Sequence, residues 1–300
     1  MTIKNVALIG GTGTIGAPIL SALKKSPFNT SVLNRKSSKS TYKDVNVITV
    51  PDDLNTTTIT TILKDNTIDA LIIAIKPSNV EAQRKLIDAV LAAGVQRVIP
   101  ADFGSCDSAD AKTTELMPHM NSKKEIRNYL ISLEGKGQLT WTSLITAHFF
   151  DWGLGGGLLR FNVKERKAYI IDGGNIKFSA SNLDFIAQAV VRILERPEET
   201  ANKLLYIHGF HITQNELLAS LEKATGDKFE RIPQNSEEEV AKEAPKVLQG
   251  DADAYEELVA VWGIVAGDWS KKDTFANELL GLNEENLDET VEKVVKELSA

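Results

Sequence analysis

Gly10, Gly13 and Gly16 stand three residues apart immediately after the apolar run Val6-Ala-Leu-Ile9. That run suits a strand buried on both faces. The same stretch also offers Gly11, Gly13 and Gly16 in a Gly-x-Gly-x-x-Gly spacing. A helical pattern follows (Ile19, Leu20, Leu23), with Pro18 in its first turn. Glycine lets a backbone turn tightly and lets a pyrophosphate approach it closely, and the uncapped N–H groups of a helix start then hold the phosphate oxygens. Strand, glycine turn and helix together point to a bound dinucleotide, with Gly10, Thr12, Gly13, Thr14, Ile15 and Gly16 against it. The bland alternative is a turn built of glycine only so that helix and sheet can pack closely.

Two basic groups extend this chemistry. Arg35 and Lys36 follow the second expected strand, Thr30–Asn34, where an acid would hold the ribose hydroxyls of NAD and a base would hold the extra phosphate of NADP. Asp44 is the first acid in the chain, too late for the NAD role, so NADPH is the expected cofactor. Arg35, with a planar fork suited to phosphate, is the expected clamp, and Lys36, Ser37 and Lys39 are its helpers. Lys123 lies on a helical pattern whose apolar stripe is Ile126, Tyr129, Leu130 and Leu133. At 100° per residue Lys123 flanks the stripe and Lys124 points to water. A lysine placed at a cofactor can act as proton donor, whereas one that only lies along apolar surface keeps its amine in solvent.

The elements that must position these groups alternate: strands at Val45–Val50, Asp69–Ile75 and Arg97–Pro100, with helices at Thr56–Lys64 and through Leu86–Leu91 up to Gly94. The expected fold class is therefore α/β, a Rossmann-type doubly wound parallel sheet with a smaller mixed α/β C-terminal substrate region. The expected division is 1–150 for the dinucleotide and 151–300 for the substrate, partly interleaved with the sheet. Residues 105–122 read as a long loop, and a sixth strand at Leu139–Thr146 delivers His148, Phe149, Phe150 and Trp152 beside a glycine run. Aromatics at a strand's carboxyl end can wall a pocket for a flat ligand or simply be core. A capping box is expected at Thr213 and Glu216.

Composition narrows the classes. The net charge of −7 argues against general nucleic-acid binding, yet residues 1–43 hold seven Lys or Arg and no acid, which suits an anionic ligand. A single cysteine and four scattered histidines give no disulfide framework and no metal-ligand spacing. With no membrane-length apolar run and no signal-like start, a cytoplasmic protein without membrane contact is expected. None of the five tyrosines has Lys four residues later, so the tyrosine-acid chemistry of ordinary short-chain dehydrogenases is unsupported.

Gly10-Gly-Thr-Gly-Thr-Ile-Gly16, Arg35, Pro100-Ala-Asp-Phe-Gly104 and Lys123 ahead of Ile126-Arg127 resemble the isoflavone reductase-like branch of the NmrA-like family, a group of atypical short-chain dehydrogenases. The likeness runs on through Asp184, Pro197, Asn202–Ile207 and Thr213. It implies an NADPH-dependent reductase of small aromatic metabolites, with Lys123 as the catalytic lysine, Phe103 and Phe149 at the cofactor, and His148, Phe150 and Trp152 at the substrate. Ala101-Asp102 replaces the Ser-Glu of the plant enzymes. Other NmrA-like proteins imply an alternative: a dinucleotide-binding redox sensor that regulates a protein partner without turnover.

Overall fold

The computed structural model describes residues 2–299. The chain divides into two compact units, each assembled from separated segments: residues 1–102, 122–144 and 184–205 in the first, and 103–121, 145–183 and 206–300 in the second.

The first unit is built on a seven-stranded sheet in the order Lys203–Tyr206, Thr140–Ile145, Arg97–Ile99, Ala70–Ile73, Asn5–Ile9, Asn29–Arg35, Asn46–Val50. The pairs from Thr140–Ile145 through Asn46–Val50 are all parallel. Ala70–Ile73 is buried at every position, as a central strand covered on both faces must be. Successive residues point to opposite faces, so Ala7, Ile9, Leu71, Ile73 and Val98 share one core with Ile59, Leu63, Leu86, Val90, Ile126 and Leu130 of the covering helices. Those helices end as their sequences dictate: Asn55 and Asn79 cap Thr56–Asp65 and Val80–Ala93 at their starts, and Gly94 closes the second in a left-handed conformation at φ +75°. Because the strands are parallel, the residues following Ile9, Ile73 and Ile99 all lie at one end of the sheet, the carboxyl ends of its strands. The strand order reverses between Asn5–Ile9 and Ala70–Ile73, and at such a reversal the crevice that takes ligands opens.

A buried cation locks this sheet to the return segment. Arg97 is fully buried, and Nε donates to Thr140 Oγ1 (2.9 Å) while Nη1 donates to Thr142 Oγ1 (2.8 Å) and Thr200 Oγ1 (2.9 Å). Nη2 donates to the Pro197 carbonyl. Burial lowers its pKa to about 10, which still leaves it charged at neutral pH.

The second unit carries two three-stranded mixed sheets. One runs Phe210–Ile212, Phe178–Ser181, His148–Phe149, and the other Glu230–Gln234, Lys167–Ile171, Phe161–Asn162. Phe178, Phe210, Leu217, Leu221, Val261 and Val291 belong to its main core. The capping box at the head of Gln214–Thr225 forms as expected: Glu216 N–H donates to Thr213 Oγ1 (3.1 Å) and Thr213 N–H to Glu216 Oε2 (2.6 Å). Residues 105–122 are more ordered than a loop. They hold a helix, Ala111–Leu116, begun by Asp110, and a 3-10 turn at Pro118–Met120. Among the described residues, no helix is long and apolar enough to cross a membrane.

Replacing Arg97 by Leu removes the donors to three threonine hydroxyls and a carbonyl in the interior, and leaves the hydroxyls only the main-chain carbonyls to which they donate. Losing a buried charged hydrogen-bond network costs about 3 kcal/mol or more. Chemical denaturation should show that loss as a lower midpoint at an unchanged slope.

Candidate active site

The glycines divide their work. Gly10 sits at φ +89°, and a Cβ there would lie 2.4 Å from the Ala74 carbonyl oxygen, so the turn presses directly on the neighbouring strand's exit. A Cβ on Gly16 would lie 2.0 Å from the Gly10 carbonyl oxygen. Both are glycine because the protein itself needs the space. Gly13 differs: it is exposed, and a Cβ there would come no nearer than 3.4 Å to any protein atom. Its missing side chain relieves nothing inside the protein and leaves the outer face of the turn open to a ligand. Gly11 is buried under Tyr42, whose Cε1 would sit 3.2 Å from an added Cβ. The spacing used is thus 10, 13, 16. The helix Gly16–Lys24 then starts at Ile15 with no side-chain cap and no acid in its first turn, and Thr12 and Thr14 stand exposed beside it. These are the conditions for an anion at a helix start.

Beside this turn lies a cavity of about 240 Å³. Gly10 and Thr12 line it from the glycine turn, Asn34, Arg35, Ser38, Ser40 and Tyr42 from the second strand and its loop, and Lys76 and Asn79 from the exit of Ala70–Ile73. It suits one end of a dinucleotide rather than the whole. Thr12 and Ser40 hydroxyls meet at 3.1 Å across its rim. Arg35 is where the sequence places it. Lys36 is exposed and does not line the cavity, because successive residues leaving a strand point opposite ways. Ser37 is also diverted: its N–H (3.0 Å) and hydroxyl (2.6 Å) both donate to Asp52 Oδ1. Those two bonds, with Arg35 and Lys36 nearby, hold the Asp52 carboxyl below its ordinary pKa. Ser38 and Ser40 take the places expected of Ser37 and Lys39. A donor set of guanidinium, two hydroxyls and an ammonium fits a phosphorylated ribose. Tyr42 and Asn79 carry no motif, and only their position after a strand and at a helix cap could have marked them.

Lys123 lies on the helix Asn121–Ser132, whose buried face is Lys123, Ile126, Arg127 and Leu130, the i, i+3, i+4, i+7 stripe of an inward surface. The lysine is only 7% exposed. Lys124 is half-buried rather than turned fully to water. Lys123 Nζ donates to the Asp102 carbonyl at 3.4 Å. One turn on, Arg127 donates through Nε (3.0 Å) and Nη2 (2.7 Å) to Asp102 Oδ2. Burial pushes the Asp102 carboxyl up, and Arg127 and then Lys123 oppose that shift. Asp102 follows the strand Arg97–Ile99, at the end of the sheet where the glycine turn follows Asn5–Ile9. The Asp102–Arg127 pair escaped the sequence reading, since a lone Asp and a lone Arg so far apart carry no pairing signal.

The aromatic segment belongs to the second unit and divides. Phe149 is half-buried at the end of His148–Phe149, and Phe103 is buried. Two expected substrate-pocket residues are core instead. Phe150 is fully buried with its ring 4.5 Å from that of Phe210. His148 is fully buried, edge-on to Phe178, and a Cβ on Gly263 would lie 2.2 Å from its Nε2. Neither imidazole nitrogen has a hydrogen-bond partner among the described residues, and burial lowers its pKa to about 4. It is a neutral packing group, not a base. Trp152 is 49% exposed.

The NmrA-like family model matches residues 2–260. The chain belongs to that family. Among curated relatives, "Oxidoreductase aprR" of Aspergillus flavus is 31% identical over 303 residues, covering 99% of this chain and 100% of its own length. An "Isoflavone reductase homolog" of Solanum tuberosum is 30% identical over 245 residues, 76% of this chain and 77% of the relative. Of solved structures, that of AtPrR2 with NADP+ and (+)pinoresinol superposes with a TM-score of 0.79 at 22% identity, covering 98% of this chain and 99% of that one. An isoflavone reductase crystal structure gives 0.77 at 22%, covering 97% and 99%. As an NmrA-like chain, the protein shares the fold of these reductases, and the isoflavone reductase-like resemblance read from the motifs holds.

Two outcomes test this account. Gly13→Ala should leave the melting temperature nearly unchanged while weakening dinucleotide binding, followed by fluorescence, about tenfold or more; Gly10→Ala and Gly16→Ala should instead lower the melting temperature itself. The folded-state pKa of His148 is lowered to about 4 from an ordinary 6.5, so the unfolded chain binds the extra proton between those values. The stability this group contributes is complete above pH 6.5 and is lost toward pH 4, by at most about 1.4 kcal/mol per pH unit. Urea denaturation across that window should show a shallower decline in His148→Leu than in the wild type.

Proposed function

We propose that this NmrA-like protein is an NADPH-dependent reductase that delivers hydride to a carbonyl or conjugated carbon of a small aromatic molecule, with Lys123 as proton donor. The observation that carries the reading is the buried Lys123, which donates to the Asp102 carbonyl just past the strand Arg97–Ile99, at the end of the sheet where an open glycine turn follows Asn5–Ile9. The curated relative at 31% identity bears the name oxidoreductase, and the AtPrR2 structure is one with NADP+ and (+)pinoresinol, which supports both cofactor and substrate class.

The outer face of Gly13 and the first turn of Gly16–Lys24 take the pyrophosphate. Arg35, with Ser38 and Ser40, takes the 2′-phosphate and thereby selects NADPH over NADH. The cofactor, when bound, supplies the hydride. As the substrate carbon gains it, the oxygen gains negative charge, and Lys123 transfers a proton to that oxygen and is reprotonated from solvent. In this reading Phe103 and Phe149 are the aromatics on the cofactor side, and the exposed Trp152 is the substrate-side aromatic that remains.

Arg35→Ala should weaken NADPH binding about tenfold or more while leaving NADH little changed. Lys123→Ala should keep NADPH binding but slow NADPH oxidation with aromatic enones and quinones by about a hundredfold. Undiminished turnover in Lys123→Ala would refute the proton-donor role. Tight NADPH binding with no oxidation across a broad panel would favour a redox sensor acting on a protein partner.

A further inference from the structure

We propose that Tyr42 is the positioning residue for NADPH selectivity: its ring, seated on Gly11, holds the segment 36–43 so that Ser38 and Ser40 stay at the wall of the phosphate cavity. The inference rests on the reading that Arg35, Ser38 and Ser40 take the 2′-phosphate. The segment lies between the strands Asn29–Arg35 and Asn46–Val50 and has neither helix nor strand of its own. Its first half is shaped locally: Ser38 N–H donates to the Arg35 carbonyl at 2.9 Å, and Ser40 N–H to Ser38 Oγ at 3.2 Å. Such bonds give a shape but do not fasten it to the rest of the protein. Thr12 Oγ1 meets Ser40 Oγ at 3.1 Å and Lys24 Nζ donates to the Lys43 carbonyl at 2.9 Å, both in the open, where water competes for each partner.

Tyr42 supplies what these bonds cannot. It is the one large apolar side chain from Lys36 to Lys43, and it is half-buried between the exposed Thr41 and Lys43. Burying an aromatic ring is the largest apolar gain open to a short polar segment. The seat for the ring is Gly11. That glycine is buried and its φ is not positive, so no left-handed turn demands it. Its neighbours do: a Cβ would lie 3.2 Å from Tyr42 Cε1 and 3.4 Å from Leu8 Cδ2. Gly11 thus serves the loop, as Gly10 and Gly16 serve the turn. Tyr42 also lines both the 240 Å³ cavity and a wider hollow of about 600 Å³ shared with Gly11, Leu20, Lys24 and Lys43, so it stands between them. Without the ring each space opens toward the other, and the loop is free to sag away from Arg35. NADH has no 2′-phosphate to place, so it loses less by this than NADPH does.

The test measures NADPH and NADH affinity by fluorescence titration and, without any dinucleotide, limited trypsin digestion at the exposed Lys36, Lys39 and Lys43. Tyr42→Leu should weaken NADPH about tenfold and NADH less than about twofold, and cleavage within the segment should speed up about fivefold or more. Tyr42→Phe, which keeps the ring, should match the wild type in both measurements. Gly11→Ala, whose methyl crowds the ring without lining the cavity, should lower the preference for NADPH and speed cleavage in the same direction, and it tests the proposal even where Tyr42→Leu does not fold. An unchanged preference for NADPH in Tyr42→Leu, a preference lost in Tyr42→Phe, or wild-type cleavage in Tyr42→Leu would overturn the proposal. Arg35→Ala judges the phosphate reading alone, and trypsin digestion needs no cofactor, so failure of that reading is distinguishable from failure of this one.

Discussion

The approach of Gly10 to Ala74 is the constraint from which the first unit follows. With a Cβ at Gly10 lying 2.4 Å from the Ala74 oxygen, only hydrogen fits between the two backbones. That contact falls where the strand order reverses, so the tightest packing in the turn and the opening of the ligand crevice are consequences of one arrangement. Gly16 extends it by letting the helix start sit on the Gly10 carbonyl. The turn's outer face is then left to Gly13, open once the protein has met its own steric needs.

Buried cations organise the rest of that unit in two ways. Arg97 is satisfied by hydroxyls and a carbonyl, and it ties the sheet to the segment around Pro197 and Thr200. Arg127 donates twice to the Asp102 carboxylate, and the carbonyl of the same residue accepts from Lys123. Desolvation weighs on both, and each is retained only because its fork is filled. One begins the short strand Arg97–Ile99, and the other lies on the helix Asn121–Ser132 and pairs with a residue just beyond that strand.

What was legible in the sequence was local. The strand–glycine–helix order, the Gly94 stop, the Thr213–Glu216 box and the inward face of Lys123 all depend on residues within a few positions of one another, where periodicity and capping chemistry act directly. The strands Phe178–Ser181 and Phe210–Ile212 were not read, because they are short and owe their existence to pairing with each other. The same holds at the site. Arg35 announces itself by chemistry, but the exchange of Ser37 for Ser38 and Ser40 follows from Asp52, which arrives from the next strand's end. His148 and Phe150 show the limit most plainly: an aromatic run after a strand looks alike whether it faces a ligand or a core, and only Gly263 and Phe210 decide.

The discontinuous make-up of the first unit bears on how such a protein can change. Residues 184–205 and the strand Lys203–Tyr206 return to a sheet begun at the N-terminus, and Asn202 N–H donates to the Trp141 carbonyl at 2.7 Å where they dock. A gene fragment ending near residue 150 would therefore leave Thr140–Ile145 as a bare sheet edge, an invitation to aggregate. The first unit cannot be exchanged between relatives as a cassette by one crossover. Diversification of specificity in this architecture must proceed by substitution and by loop exchange within an undivided reading frame.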